Sequence, residues 1–153
     1  GKYLNDAWLE AAYAVFLDEY ASVPRALCHD DLLPFNVLVS EDRAVLIDWE
    51  FAGILPSPAS FARLIAHGEE DENAFFYMTQ ADREFAIQYY YDNLLKEMGI
   101  ASEEWRRTLE LFLLYEYCEW VFLGNKYGEV NEGYYRKYLA LAKRQADKIL
   151  RMS

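Results

Sequence analysis

Three side chains with oxygen donors, Asp31, Asn36 and Asp48, lie close together in the segment LCHDDLLPFNVLVSEDRAVLIDWEFAG. Mg²⁺ prefers hard oxygen ligands, and one or two carboxylates with an amide oxygen leave positions for water or phosphate. A further carboxylate within hydrogen-bond reach of a hydroxyl can orient it and accept its proton. These residue types are therefore suited to metal-assisted transfer of a phosphoryl group to a hydroxyl, a reaction that depends mainly on positioning.

A β-hairpin can bring these three residues together. The runs NVLV and AVLID flank the turn segment SEDR, and aliphatic residues on both sides of turn residues are typical of an antiparallel hairpin. The hairpin returns the chain, so Asp48 at the end of its second strand comes back beside Asn36. Before the hairpin, Pro34 stiffens the loop that follows Asp31. In the alternative interpretation, Asp30 and Asp31 only cap backbone amides in a turn and Asp48 only ends a strand.

Two segments resemble those of a known family. HDDLLPFN fits the H-x-D-x-x-x-x-N catalytic loop of the protein kinase superfamily, and VLIDWEFAG resembles its metal-binding segment. The tryptophan after the aspartate and the wording LLPFN are closer to the aminoglycoside phosphotransferase and choline kinase branch, which phosphorylates small molecules. The resemblance implies that Asp31 is the catalytic base and that Asn36 and Asp48 are Mg²⁺ ligands. It also implies that His29 anchors the loop by packing or hydrogen bonding.

Two residues depart from the family pattern. Asp30 stands between His29 and Asp31, where the family often has Gly or Asn, and its carboxylate either disturbs the charge of the base or faces solvent. Ser60, in PSPASFARLIAH, stands where relatives usually carry an Asp that helps brace the catalytic loop. A hydroxyl offers a weaker hydrogen bond than a carboxylate. A pseudokinase with a binding or scaffolding role is therefore an alternative, against which the intact catalytic set argues.

The rest of the sequence predicts mainly helices, with ILPSPAS as a loop and the acidic run 69–72 as a solvated loop. The first two predicted helices are residues 5–20, with Asn5 as the cap, and the segment ASFARLIAH. A third helix begins at the Thr79–Asp82 capping box and is stopped after about Met98 by Gly99. A long helix runs from Ser102 to about Gly124, and Asn131 caps the last helix. We therefore predict a single domain of residues 1–153 with a mostly helical α+β fold. By resemblance it is a protein kinase-like C-terminal lobe, with one small β-hairpin carrying the catalytic and metal-binding loops.

The resemblance covers only that lobe. The family binds ATP between two lobes, and the smaller, strand-rich lobe carries a phosphate-covering loop and a lysine that contacts the phosphates. Only 28 residues precede His29, they predict one helix, and no G-x-G-x-x-G occurs in the chain. We therefore expect the N-terminal nucleotide lobe to be absent from this chain and the fragment alone to be inactive. The parent protein would use Mg²⁺ and ATP, or another nucleoside triphosphate.

The long helix carries candidate substrate-binding residues. Its middle is apolar almost all round, typical of a buried helix, but Glu116 and Glu119 share one face at i, i+3 spacing. Because burying both carboxylates unpaired would be expensive, we expect this face to meet water or a cleft. With Trp120 nearby, the carboxylates could hold an ammonium group, and the alternative is a solvent-facing stripe. Glu50 is a further candidate near the cleft, or else a cap or ion-pair partner.

The net charge of −11 is unevenly distributed. Residues 1–130 hold 24 acidic and 9 basic side chains, whereas residues 131–153 hold 2 acidic and 6 basic ones. The acidic part argues against a nucleic-acid partner and is compatible with a cationic small molecule, although solubility alone can explain it. The basic end can offset a helix macrodipole. No apolar run suits a membrane helix and the two cysteines form no C-x-x-C pair, so we expect no membrane partner and a cytoplasmic setting.

By this resemblance, the chain is interpreted as the C-terminal lobe of an aminoglycoside- or choline kinase-like, ATP-dependent phosphotransferase. Its substrate would be a hydroxyl of a small cationic molecule. The alternatives are a pseudokinase and an unrelated, non-catalytic helical binding module. The second alternative treats the arrangement around the hairpin as coincidence.

Overall fold

The computed structural model describes residues 6–68, 76–128 and 133–152, and these are mostly helical with short antiparallel strands. The α-helices are α1 (Ala7–Tyr20), α2 (Ala59–Ala66), α3 (Gln80–Tyr90), α4 (Ser102–Tyr127) and α5 (Gly133–Met152). The strands are β1 (Arg25–Cys28), β2 (Val37–Val39), β3 (Ala44–Leu46) and β4 (Gly53–Pro56). The mostly helical α+β class predicted from the sequence agrees with this arrangement. The predicted acidic loop at 69–72 and the predicted caps Asn5 and Asn131 lie outside the described residues.

The predicted hairpin is confirmed. Strands β2 and β3 pair antiparallel, with Val37 opposite Leu46 and Val39 opposite Ala44. The N–H of Ser40 donates to the carbonyl of Arg43 at 2.8 Å and closes the turn between them. A single 3-10 turn, Pro34–Asn36, leads into β2, and a second, Trp49–Phe51, follows β3. The hairpin therefore begins and ends beside the residues with candidate chemistry.

The segment ILPSPAS is not the loop that the sequence predicts, because its first half forms β4. Strand β4 pairs antiparallel with β1, from Arg25 opposite Pro56 to Cys28 opposite Gly53. Pro56 stands at the end of its strand, where a missing N–H donor is tolerated. The next N–H, of Ser57, donates to the carbonyl of Pro24 at 2.8 Å. The β1–β4 pairing joins the two ends of the segment that carries the loop, the hairpin and both 3-10 turns.

The chain divides into two compact units, residues 24–109 and residues 1–23 with 110–153. In the second of these, α1 lies against α5: the indole N–H of Trp8 donates to Asp147 at 2.8 Å, and the Lys143 amine lies 3.0 Å from Asp6. Asp6, and not the predicted Asn5, is the N-cap of α1, and its carboxylate accepts from the backbone N–H of Leu9 at 3.1 Å. That hydrogen bond, followed by the one from Lys143, lowers the pKa of Asp6.

Helix α4 ends just before Gly128 and not at Gly124. The helix runs past Gly124 to Tyr127, and Gly128 follows it with a φ of 76°. Such a left-handed residue is a common helix terminator. Gly124 is buried, and a Cβ at this position would lie 2.5 Å from a ring carbon of Tyr135 in α5. Gly124 therefore permits close packing of α5, and the helix ends three residues beyond the end predicted near Gly124.

Helix α3 begins with the predicted capping box. The Asp82 N–H donates to the Thr79 hydroxyl at 3.0 Å, and the Thr79 N–H donates to the Asp82 carboxylate at 3.2 Å. The hydrogen bond from the Thr79 hydroxyl, followed by that from its backbone N–H, lowers the pKa of Asp82. The α-helix ends at Tyr90 and continues as a π-helical turn, Tyr91–Leu95, before Gly99 with a φ of 77°. No helix in the described ranges is long and apolar enough to cross a membrane.

Candidate active site

His29 follows β1 and is buried, with 2% of its surface exposed. Its Nε2 lies 2.7 Å from the carbonyl oxygen of Ile47, just after β3. Because a carbonyl only accepts hydrogen bonds, Nε2 carries the proton in this contact. The imidazole lies against the Trp49 ring at a centroid distance of 4.7 Å. His29 thus links the start of the loop to the end of the hairpin. The predicted anchoring role requires contacts of this kind.

The backbone of His29 is also held, from the side of α2. Its N–H donates to the Ser60 hydroxyl oxygen at 2.8 Å. Ser60 lies in the first turn of α2. The family that the sequence resembles usually has an Asp at this position. The hydroxyl reaches the loop without a carboxylate. A neutral acceptor therefore occupies the bracing position in this chain.

The backbone conformation at Asp30 explains the residue types expected there. Asp30 has a φ of 60°, in the left-handed region, and its side chain is exposed. Gly adopts this region freely, and Asn and Asp do so more readily than other residues. A family preference for Gly or Asn at this position therefore follows from the backbone, and Asp is a tolerable replacement. The sequence left two possibilities for the Asp30 carboxylate, to disturb the charge of the base or to face solvent. In the structure it is exposed to solvent.

The carboxylate of Asp31 is held by donors at both of its oxygens. The Nε and Nη2 atoms of Arg63, from α2, lie 3.2 Å and 3.1 Å from Oδ1. The Nδ2 of Asn36 lies 3.1 Å from Oδ2, and it also donates to the Asp31 carbonyl at 2.8 Å. The Arg63 and Asp31 side chains are only 16% and 21% exposed. Asp31 is therefore fixed in the loop by one cation and one amide.

Arg63 is the residue of this arrangement that the sequence analysis missed. It stands in the apolar helix segment ASFARLIA, three residues after Ser60. Residues at i, i+3 spacing share a helix face. A face carrying both Ser60 and a cation could have indicated a contact with the loop.

Asn36 and Asp48 have side-chain oxygens available for a ligand. Asn36 is buried. The end of its amide group that faces Asp31 must be the nitrogen, Nδ2, because both partners on Asp31 are acceptors. Its Oδ1 makes no hydrogen bond to a described residue. The N–H of Ile47 donates to the Asn36 carbonyl at 3.0 Å, which places Asn36 opposite Ile47, next to Asp48 in the chain. Asp48 is exposed, and its carboxylate accepts no hydrogen bond within residues 6–68, 76–128 and 133–152.

This donor set fits Mg²⁺ better than a metal that needs several protein ligands. Within the described parts of the chain, no group of three or more His, Cys, Asp or Glu could hold a metal ion. Mg²⁺ does not require one, since it keeps several waters and is usually bound by one or two carboxylates together with substrate phosphates. Asn36 Oδ1 and the Asp48 carboxylate are one amide oxygen and one carboxylate. That they share one ion stays a prediction.

Glu50 lies in the 3-10 turn after Asp48 and is exposed. Its carboxylate makes neither a capping hydrogen bond nor an ion pair with any residue the structure describes. The cap or ion-pair alternative is therefore not realised in the described residues. Its substrate-binding role stays a prediction.

Glu116, Glu119 and Trp120 belong to the unit formed by residues 1–23 and 110–153, whereas the loop and hairpin belong to residues 24–109. Glu116 is 2% exposed, so this carboxylate does not meet water, whereas Glu119 on the same face is half-buried. The expectation that this face meets water assumed an unpaired carboxylate, but Glu116 interacts with neighbouring groups, which offsets the cost of its burial.

Glu119 and Trp120 are half-buried among aromatic residues. Burial raises the pKa of Tyr13 to about 12, and the nearby Glu119 carboxylate adds to that shift. The Trp120 ring stacks on Tyr138 of α5 at a centroid distance of 5.4 Å. Packing therefore already occupies part of the aromatic surface that the cation-binding prediction uses.

Comparison with known proteins covers the part of the chain that holds the loop and hairpin. The model of the phosphotransferase enzyme family matches residues 2–95, a range that contains the loop, the hairpin and α2 but none of α4. No curated protein sequence matches the chain. The match covers more than half of the 153 residues and confirms the resemblance seen in HDDLLPFN and VLIDWEFAG. The chain belongs to the phosphotransferase enzyme family.

Proposed function

We propose that this chain is the C-terminal, catalytic and substrate-binding lobe of an ATP-dependent phosphotransferase. The parent protein transfers the γ-phosphate of ATP to a hydroxyl of a small cationic molecule, of the aminoglycoside or choline kind. Membership of the phosphotransferase enzyme family supports the reaction class. The observations that carry the proposal are the Asp31 carboxylate, held at both oxygens by Arg63 and Asn36, and the side-chain oxygens of Asn36 and Asp48, which make no hydrogen bond to a described residue.

Asp31 is the general base in this proposal. It accepts a hydrogen bond from the acceptor hydroxyl and takes its proton. The hydroxyl oxygen forms a bond to the γ-phosphorus while the bond from that phosphorus to the β–γ bridging oxygen breaks, and ADP leaves with the electron pair. Little covalent work is required of the protein, so fixing the carboxylate contributes directly to the rate. Its partly buried contacts with Arg63 and Asn36 supply that fixation.

Asn36 connects the base to the metal site. Its Nδ2 is committed to Asp31, so Oδ1, the other atom of the planar amide, is directed elsewhere. Asn36 Oδ1 and the Asp48 carboxylate would hold Mg²⁺, which neutralises phosphate charge when bound. The Asn36 side chain would thus fix the position of the base, Asp31, relative to the metal and the phosphates that the metal holds.

The backbone at Asp30 and Asp48 supports the same location. Both residues have left-handed conformations, with φ of 60° and 63°. Such conformations in residues other than Gly cost about 1–2 kcal/mol each and cluster at active sites. Asp48 needs this conformation where the chain leaves β3 for the Trp49–Phe51 turn. A residue under strain whose side chain makes no stabilising contact is suited to a ligand role.

The charge of the chain favours a cationic substrate. The chain carries 26 acidic against 15 basic residues, which favours a positively charged ligand by long-range attraction. Asp30 and Glu50, on either side of the hairpin in sequence, are exposed and acidic. Glu50 is the nearer candidate for contacting an amine of the substrate, because it follows the proposed metal ligand Asp48 by two residues.

The exposed apolar residues of the unit formed by residues 24–109 support a second lobe as partner. Apolar side chains exposed on neighbouring strands and turns can form an interaction surface. The most exposed of these side chains around the strands and turns are Leu27, Phe35, Leu38, Val39, Phe51 and Ile54. We propose that a strand-rich N-terminal lobe of the same protein covers them and supplies the lysine and phosphate-covering loop. Residues 1–153 alone therefore turn over no ATP.

The decisive experiment compares Asp31→Asn with Asp48→Asn in the full-length parent protein. Asp31→Asn keeps the shape but cannot take the proton, so kcat should fall by about 10²–10⁴-fold while ATP affinity is nearly kept. Asp48→Asn removes a charged metal ligand, so Mg²⁺–nucleotide binding and turnover should both fall, with partial rescue at high Mg²⁺. Asp42→Asn is the matched control, because its carboxylate accepts from Ser40 in the hairpin turn and takes no part in the proposed site.

A near-normal kcat in Asp31→Asn together with an inactive Asp48→Asn would refute the role of Asp31, because the proton must then leave by another route. If the full-length wild type transfers phosphate to none of a panel of hydroxylated amines, the inactive, scaffolding alternative is favoured. Turnover by residues 1–153 alone would overturn the proposal that a second lobe is required.

A further inference from the structure

The partners of Asp31 are unevenly divided between its two oxygens. Arg63 directs two donors, Nε and Nη2, at Oδ1, with distances of 3.2 Å and 3.1 Å. Asn36 directs one donor, Nδ2, at Oδ2 at 3.1 Å. An ionised carboxylate has about four acceptor positions, two on each oxygen. The remaining position is therefore on Oδ2.

We propose that Arg63 is a positioning residue that makes Oδ2 of Asp31 the proton-accepting oxygen, an inference that rests on the proposed function. Arginine is suited to this because its guanidinium is planar, always charged and presents its donors in a rigid fork. A fork on Oδ1 fixes both the rotation of the carboxylate and the oxygen left for the acceptor hydroxyl. Lysine, with a compact ammonium on a flexible stem, could pair with the charge but would not fix the rotation.

Helix α2 gives this contact a rigid support. Ser60 and Arg63 are three residues apart on α2 and share a face. Ser60 accepts the N–H of His29, two residues before Asp31, so the same helix holds the backbone of the loop and the carboxylate that the loop carries. The opposite side of α2 is anchored by Ala62 and Ile65, neither of which is exposed. Groups held by packed elements keep catalytic geometry better than groups on unsupported loops.

The experiment uses the full-length parent protein with Arg63→Ala, Arg63→Lys and the control Arg83→Ala. Arg83 of α3 donates from Nη1 to the Ile65 carbonyl at 3.0 Å, so its removal perturbs α2 without removing a donor from Asp31. Arg63→Ala should lower kcat by about 10²-fold with KM for ATP nearly unchanged, because a misplaced base costs rate and leaves nucleotide binding intact. Arg63→Lys should fall between Arg63→Ala and wild type. Added guanidinium should restore part of the kcat of Arg63→Ala and have no such effect on Arg83→Ala.

A double-mutant cycle separates positioning from a purely structural ion pair. If Arg63 acts through Asp31, the variant with both Arg63→Ala and Asp31→Asn should have the kcat of Asp31→Asn alone. The inference is overturned if Arg63→Ala lowers kcat by the same factor in both backgrounds, or by no more than Arg83→Ala does. Thermal unfolding of each variant shows whether a loss of kcat comes from unfolded protein, and guanidinium rescue would not repair that loss. If the wild type shows no turnover, the proposed function is overturned and this inference with it. If the wild type is active but the effects of Arg63→Ala and Asp31→Asn on kcat are independent, only the inference is overturned.

Discussion

Replacement of Ser60 tests how the loop is held on α2. The Ser60 hydroxyl accepts the N–H of His29 at 2.8 Å, and His29 is 2% exposed, so water cannot readily replace the lost acceptor in Ser60→Ala. A buried donor left without a partner costs about 1–3 kcal/mol. For a protein of this size, each kcal/mol corresponds to about 2–4 °C in the melting temperature. We therefore expect Ser60→Ala to melt several degrees below the wild type.

Ser60→Asp should have the opposite effect. A carboxylate makes a charge-assisted hydrogen bond to the same N–H, about twice as strong as a neutral one. An acidic residue in the first turn of α2 also interacts favourably with the helix dipole, by about 0.3–1 kcal/mol. We expect this variant to be at least as stable as the wild type.

Two measurements check this prediction. Urea unfolding gives the free energy of each variant, and hydrogen exchange at the His29 amide reports on the contact itself. Ser57→Ala is the matched control, because Ser57 precedes α2 and its hydroxyl makes no hydrogen bond to a described residue. Unchanged exchange and stability in Ser60→Ala would refute the reasoning, as would a Ser60→Asp variant less stable than Ser60→Ala.

Two further predictions concern the unit formed by residues 1–23 and 110–153. Asp6→Ala should cost about 1 kcal/mol in urea unfolding at pH 7 by removing the N-cap of α1. Since the hydrogen bond from Leu9 and then that from Lys143 lower the pKa of Asp6, its contribution is complete above about pH 4 and is lost as the pH falls through the lower folded pKa. The difference from wild type should therefore narrow towards pH 3, and a constant difference would contradict the prediction. Gly124→Ala places a methyl group 2.5 Å from a Tyr135 ring carbon, so the overpacking cost of about 1–3 kcal/mol should exceed the gain of about 1 kcal/mol in helix propensity. A higher melting temperature in Gly124→Ala would show that the ring moves aside freely.

The sequence predicted those features that neighbouring residues determine. The Thr79–Asp82 capping box involves residues three positions apart, and the hairpin is set by its own turn and by the strands directly beside it. The choice of Asp31, Asn36 and Asp48 as candidate site residues rests on a motif of fixed spacing, which can be recognised without the fold, and their roles stay predictions.

The features that the sequence did not predict depend on distant residues. The Arg63–Asp31 contact joins residues 32 positions apart, and no local pattern shows which carboxylate a helix cation meets. Strand β4 has a partner only because β1 lies beside it, and Gly124 is required by a ring in another helix. The burial of Glu116 has the same origin, since its surroundings rather than its position on α4 decide whether a carboxylate can leave water.

The pairing of β1 with β4 has a consequence for folding. The ladder from Arg25–Pro56 to Cys28–Gly53 closes a loop of residues 29–52, and closing a loop of that length costs about 3 kcal/mol of chain entropy. His29, Asp31, Asn36 and Asp48 all lie inside this closed loop. Local opening of the ladder would therefore free both ends of this segment in a single event. The base and the proposed metal ligands would then keep only the contacts within the segment and those with α2, such as Asn36–Asp31 and Arg63–Asp31.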